Sequence, residues 1–189
     1  KHLVQDLKAL IDQVTADSPT PGQAAAVVAH DWGGAVTWGL AAQHPGAMRQ
    51  LAILNAPHAG LFARELQNNP LQQAASAYML FLVQADAAAQ LAADDFAQLF
   101  GFLRGDDAQP GGTHSLAAKA APWLSPAMED RYRHVWRQGL DSSLNYYRAS
   151  PLRPASETED LISGMVLPPE ILRIEVPTLV LWAQDDIAL

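Results

Sequence analysis

The apolar run at residues 24–29 breaks at His30-Asp31-Trp32-Gly33-Gly34 into an aspartate flanked by small residues. This spacing, small residue, any residue, nucleophile, any residue, small residue, lets a strand turn sharply into a helix and present one side chain at the corner. Ala29 and Gly33 are the flanks and Asp31 takes the place of the nucleophile. The residue type then selects the chemistry. A carboxylate, with an ordinary pKa of about 4, is ionised at neutral pH and attacks without a base to take its proton. Its productive target is a saturated carbon, because water can cleave the resulting aspartyl ester, whereas a serine would leave a stable ether. The pattern therefore points to alkyl electrophiles opened through a covalent ester. An aspartate ahead of two glycines is also an ordinary helix cap, and the residues carry both readings.

The elements that must position this corner can be read from periodicity. The run 24–29 predicts a strand, residues 35–43 a helix stopped at His44-Pro45-Gly46, and residues 50–54 a second strand. Strand, turn, helix and strand make the right-handed crossover unit of a parallel sheet. Upstream, Leu3, Val4, Leu7, Leu10, Ile11 and Val14 recur at three- and four-residue steps and predict a helix over about 2–15. Asp17-Ser18-Pro19-Thr20-Pro21-Gly22 then breaks the chain. A third strand is expected at 178–183. Between residues 58 and 175 no strand-like run occurs, and helices are expected at 61–67, 70–83, 87–104 and 142–150. Another opens with Ser125 as cap and Pro126 in the first turn, and runs to about 138 with Gly139 as its stop. The stretches 105–122 and 151–169 read as irregular. The class is α/β, divided as a core over 1–57, a helical insertion over 58–175 and a return to the core over 176–189.

The 189 residues, 49% of them hydrophobic, suffice for one domain with an insertion and a packed core. Twelve Lys and Arg against 20 Asp and Glu give a net charge of -8 with no basic cluster, which argues against nucleic acid and anionic membrane as partners. The absence of cysteine removes disulfides and thiolate metal sites and fits a reducing compartment, so a cytoplasmic location is expected. No apolar stretch approaches the roughly 18 residues of a membrane span, and no signal-peptide pattern opens the chain.

Four segments, taken in order, resemble the α/β-hydrolase superfamily, and within it the branch of epoxide hydrolases and haloalkane or haloacetate dehalogenases. They are His30-Asp31-Trp32-Gly33-Gly34, Asn55-Ala56-Pro57-His58, Leu144-Asn145-Tyr146-Tyr147-Arg148 and Leu179-Val180-Leu181-Trp182-Ala183-Gln184-Asp185-Asp186. The resemblance implies the α/β-hydrolase fold, a mostly parallel sheet carrying an inserted helical cap. Since only three central strands are legible, it also implies that the chain is the middle of a longer protein.

By the same resemblance Asp31 is the nucleophile, and the Trp32 backbone N–H faces the oxyanion formed as the ester is cleaved. The Trp32 indole and Asn55 are candidate substrate or halide donors. Tyr147, and with it Tyr78, would donate hydrogen bonds to an epoxide oxygen, a task suited to a phenol that stays protonated at neutral pH. Tyr78 also lies on an apolar stripe with Phe81, while Tyr146 and Tyr132 read as packing or rim residues. Alignment of the tail favours Asp186 over Asp185 as the acid that orients a catalytic histidine. All six histidines, at 2, 30, 44, 58, 114 and 134, precede it. That histidine is therefore expected beyond Leu189, and the His-Gly-x-Pro oxyanion loop before the chain begins. The implied activity is epoxide hydrolysis of a small-molecule substrate without cofactor or metal. The alternatives are a hydrolytic dehalogenase acting on an alkyl halide with the same nucleophile, and a non-catalytic binding protein of the same fold. The isolated segment is expected to be poorly soluble and without steady-state turnover; its oligomeric state is not legible.

Overall fold

The apolar stripe near the N-terminus folds as predicted, into helix α1 (His2–Val14), with Val4 and Ile11 buried. The computed structural model describes residues 2–104, 122–184, 186 and 188–189 of the chain. By their contacts these divide into two units: Lys1–Arg64 with Gly164–Ile187 and Leu189, and Glu65–Ser163 with Ala188.

The first unit is built on strands β1 (Val27–His30), β2 (Leu51–Leu54) and β3 (Thr178–Leu181), parallel and in the order β1-β2-β3. Helix α2 (Asp31–Gln43) joins β1 to β2. In register, His30 pairs with Leu54 and Leu54 with Leu181, so the three strands end level with one another. The core forms where α1 and α2 cover the sheet, around Ile11, Trp38, Leu40, Ala41, Leu51 and Ile53. Gly39 makes the helix contact possible, since a Cβ there would come within 3.1 Å of Val4 Cγ2. β2 buries Leu51 and Ile53, but β3 leaves Leu179, Val180 and Leu181 exposed.

Of the boundaries that differ from expectation, two bear on the corner. The ladder of β1 begins at Val27 and not at residue 24; Ala24 makes only an isolated bridge to Met48. Alanine is a poor strand former, and pairing becomes regular where the β-branched Val27 and Val28 begin. Helix α2 begins at Asp31 and not at residue 35, so the corner residues themselves form its first turn.

The second unit is helical. Helix α3 (Ala59–Asn68) carries the division between units at 64/65. The divisions at 64/65 and 163/164 fall inside the expected insertion 58–175, because both of its ends pack with the sheet unit. The His58 ring lies 5.4 Å from Trp38, and Gly60 sits so close to Leu172 that an added Cβ would meet Leu172 Cδ2 at 2.8 Å. The single helix expected over 70–83 is two, α4 (Pro70–Ala75) and α5 (Tyr78–Leu82). Between them the bonds tighten to three-residue steps, Ala77 N–H to Ala74 O at 3.2 Å and Met79 N–H to Ser76 O at 3.0 Å, around the fully buried Ser76.

Helix α6 (Ala87–Arg104) is interrupted by three consecutive left-handed residues, Asp94, Asp95 and Phe96, with φ of 50°, 53° and 67°. Each costs roughly 1–2 kcal/mol relative to a right-handed residue. The turn is held from α7 (Pro126–Trp136) and the residue that follows it: Asp95 accepts from Arg133 Nε at 2.6 Å and Arg137 Nη2 at 2.8 Å, and Phe96 is buried against Trp136. Ser125 caps α7 as predicted, its hydroxyl accepting from Met128 N–H at 3.3 Å. Helix α8 (Asp141–Ala149) completes this unit's regular elements among the described residues. The expected irregular stretch 105–122 lies outside the described residues save for Pro122.

Candidate active site

Asp31 stands where β1 turns into α2. His30 is still extended, with φ -131° and ψ 148°, and Asp31 swings to φ 52° as the first helical residue. A non-glycine residue there is strained, and strain of this kind collects where a side chain must be presented. Its carboxylate does not make a helix-capping bond. Oδ2 accepts from the backbone N–H of the next residue, Trp32, at 2.6 Å, instead of from a residue two or three further on. Asp31 is exposed and Trp32 half-buried.

The small residue that the corner requires is Gly34. A Cβ there would lie 2.4 Å from Ala56 Cβ, whereas a Cβ on Gly33 would meet nothing within 4 Å among the described residues. Gly33 had been expected to be the tight flank; the close approach is one residue later, where α2 crosses the end of β2.

Asn55 repeats the turn of Asp31 on the neighbouring strand, with φ 42° directly after Leu54. Its N–H donates to Leu181 O at 3.1 Å, its Oδ1 accepts from Ala183 N–H at 3.2 Å, and its Nδ2 donates to Asp186 Oδ2. Asp186, half-buried, also accepts from Leu189 N–H at 3.0 Å through Oδ1. Asp31, Asn55 and Asp186 thus all follow the carboxyl ends of adjacent parallel strands, the edge at which open α/β sheets bind ligands. Asp185 lies outside the described residues.

From sequence, His58 has no general-base duty and is expected to shape the entrance to the cap. His58 lies three residues past Asn55, edge-on to Trp38, with its Nδ1 accepting from Gly60 N–H at 3.3 Å and its Nε2 buried. Burial pushes its pKa below the ordinary 6.5, against a weaker opposing pull from the Leu172 backbone. Trp38 in turn donates its indole N–H to Ala56 O at 2.9 Å.

In the helical unit Tyr78, at the start of α5, and Tyr147, in α8, are neighbours. Their rings are 6.0 Å apart at 78°, and both are half-buried. Tyr146 is exposed, and Tyr132 packs on Trp136 at 5.1 Å. A surface groove of about 460 Å³ lies at the other end of α2 from Asp31, beside Ala41, Ala42 and Pro45, and is rimmed by Glu170, Arg173 and Glu175. Among the described residues no three His, Cys, Asp or Glu gather as a metal would require, and no helix is long and apolar enough to cross a membrane.

The sequence profile of the alpha/beta hydrolase fold matches residues 4–189. The chain belongs to the alpha/beta hydrolase fold family. It is 26% identical over 189 residues to epoxide hydrolase 2 of Caenorhabditis elegans, a match covering 98% of this chain and 46% of that protein. It is 32% identical over 160 residues to the AB hydrolase superfamily protein YfhM of Bacillus subtilis, covering 83% and 49%. Among solved structures it resembles an epoxide hydrolase of Bacillus megaterium in complex with an inhibitor, with a TM-score of 0.70 and 25% identity over 98% of this chain and 59% of that one. The chain thus spans about half the length of these two curated relatives. Within this alpha/beta hydrolase chain the strand-end residues Asp31, Trp32, Asn55 and Asp186 belong to the sheet unit, and Tyr78 and Tyr147 to the helical unit.

Proposed function

We propose that the intact protein is an epoxide hydrolase that opens its substrate through a covalent ester on Asp31. The observation that carries the reading is the left-handed Asp31 at the strand-to-helix corner, its Oδ2 held by the Trp32 N–H. That bond leaves Oδ1 as the oxygen directed at substrate. Oδ1 attacks an epoxide carbon in line as the carbon–oxygen bond breaks, and Tyr147 and Tyr78 donate to the departing alkoxide. Oδ2 is then the carbonyl oxygen of the hydroxyalkyl ester. When water attacks, negative charge develops on the atom that the Trp32 N–H already faces. Asp186 orients a histidine supplied by the intact protein; that histidine takes the water's proton and returns it to the alkoxide leaving the ester, the remaining proton of the water replaces the one the tyrosines gave, and the diol leaves with the carboxylate restored. The substrate is a small epoxide, and neither metal nor cofactor takes part.

A hydrolytic dehalogenase would use the same nucleophile. It has less support, because Asn55 Nδ2, a candidate halide donor, is directed at Asp186. The two activities separate directly. Single turnover of styrene oxide in water labelled with heavy oxygen is expected to place the label first in Asp31 and only later in diol. Halide release from a haloalkane or haloacetate, with no turnover of epoxide, would overturn the reading.

A further inference from the structure

Asn55 had been expected to face substrate, yet its side chain is occupied on the protein side. The amide oxygen takes the Ala183 N–H at 3.2 Å, the amide nitrogen donates to Asp186 Oδ2, and the backbone N–H donates to Leu181 O at 3.1 Å. Three bonds from one residue therefore tie the end of β3 and the turn after it to the end of β2. With its two ends held by different partners, the amide plane is fixed, and it fixes the Asp186 carboxylate in turn. Residue type and backbone agree with this role. Asn is among the few side chains that tolerate φ 42°, and it alone of the Asn and Asp pair offers a donor to a carboxylate.

We propose that Asn55 is a positioning residue for Asp186, acting on ester cleavage and not on ester formation. The inference rests on the assignment of Asp186 as the orienting acid under the proposed function. Its kinetic consequence follows from the division of labour between the carboxylates. A carboxylate nucleophile needs no base to take its proton, so the first step is indifferent to Asp186; activation of water in the second step depends on it. Loss of the Asn55 amide then slows only the second step. Because both kcat and KM of a two-step covalent reaction scale with the second step once it limits, kcat/KM is preserved.

The test uses Asn55→Gly, which keeps the left-handed backbone without strain, and Asn55→Asp, which keeps the size but replaces the donor with a like charge. Both are made in the intact protein. Rapid quench with styrene oxide, followed by mass analysis of the Asp31 peptide, reads the two steps separately. In both variants ester formation is expected within about twofold of wild type. Ester hydrolysis is expected to fall about 10- to 100-fold, the worth of one hydrogen bond to a charged group. The ester accumulates, and kcat and KM fall together. On an Asp186→Asn background, Asn55→Gly should cost less than about twofold further, because the two residues act through one another. A fall in ester formation or in kcat/KM would overturn the proposal in favour of direct substrate contact. Equal slowing of both steps with a lowered Tm would overturn it in favour of a structural role. Absence of any ester on Asp31 in the wild-type protein would instead defeat the proposed function itself.

Discussion

Asp31 and Asn55 both take a positive φ, 52° and 42°, each directly after a strand end that is paired with the other, His30 beside Leu54. Two neighbouring strands therefore each lead into a strained residue whose side chain carries a polar oxygen. Neither position is glycine, which would adopt the turn without strain but present nothing. Aspartate and asparagine are the compromise, since both tolerate the left-handed region better than other side chains.

Asp31→Asn keeps that tolerance and removes the proposed nucleophile. In the intact protein it is expected to lower epoxide turnover by at least roughly a thousandfold, with an unchanged unfolding transition. Turnover within about tenfold of wild type would show that another group attacks.

Tyr147→Phe is expected to cost epoxide opening about 10- to 1000-fold, as for loss of one positioned acid, with the fold intact. The neighbouring ring of Tyr78, 6.0 Å away, leaves a residual donor, so the double change with Tyr78→Phe should bring turnover close to background. Wild-type rates in both variants would remove the phenols from the mechanism.

Gly34→Ala forces a Cβ to within 2.4 Å of Ala56 Cβ, so α2 must lift from β2. Overpacking of this kind costs about 1–3 kcal/mol, to be read as a lower urea midpoint. Gly33→Ala meets nothing among the described residues and is expected to leave stability unchanged or raise it by up to about 1 kcal/mol, since alanine is the better helix residue. Equal effects at the two positions would contradict the packing described.

His58 links stability to mild acid. Its folded pKa lies below 6.5, so the unfolded chain binds the proton more readily. The stability it contributes is complete above about 6.5 and declines as pH falls from there to the lower folded value. A Tm series from pH 7.5 to 5 should fall more steeply for wild type than for His58→Gln; parallel curves would place the ring in solvent.

Asp95 and Glu129 act in a more acidic window. Arg137 and then Arg133 hold the Asp95 carboxyl below its usual 3.8, and Arg104 and then Arg133 hold Glu129 below 4.5. Their ion pairs are present above those values and disappear as pH drops below about 4 into the lower folded range. Asp95 is exposed and its pairs with Arg133 and Arg137 are open to screening, so Asp95→Asn should lower Tm at low ionic strength and lose most of that effect in 1 M salt. Fluorescence of Trp136, which packs on Phe96, reports the same loosening. An equal loss at both salt concentrations would assign the effect to packing.

The sheet, α1, α2 and the capped start of α7 were legible because local signals and tertiary burial agree there: the stripe of α1, the Ser125-Pro126 cap and the two valines of β1. The interruptions were not. Nothing in residues 70–83 marks the tightening at Ser76, which comes from burial of its hydroxyl beside Gln72, and Asp94, Asp95 and Phe96 turn left-handed only because α7 and the residue that follows it supply two arginines and an aromatic seat. The same limit applies to the candidate site. The corner around Asp31 is a local pattern and was read directly, although the demanding glycine is Gly34. The partner of Asn55 is 131 residues away in sequence, a pairing no local pattern encodes. An asparagine before Ala56-Pro57 at a strand end was the available sign of a left-handed turn, and it gave no hint of what the amide would grasp.

The path of the chain through the sheet also sets a timetable. β1, α2 and β2 are contiguous in sequence and close on one another through a short crossover, whereas β3 joins only after the entire helical unit has passed. Closing the longer loop costs more chain entropy, and contacts of high sequence separation form slowly. During synthesis the Asp31 corner and Asn55 therefore emerge together and early, and Asp186 arrives last. Until it does, β2 presents an unpaired apolar edge to the cell, the kind of edge that invites intermolecular pairing or chaperone capture. A nascent chain halted within the helical unit would carry Asp31 and Asn55 without the Asp186 turn, its site incomplete while its sheet edge is still sticky.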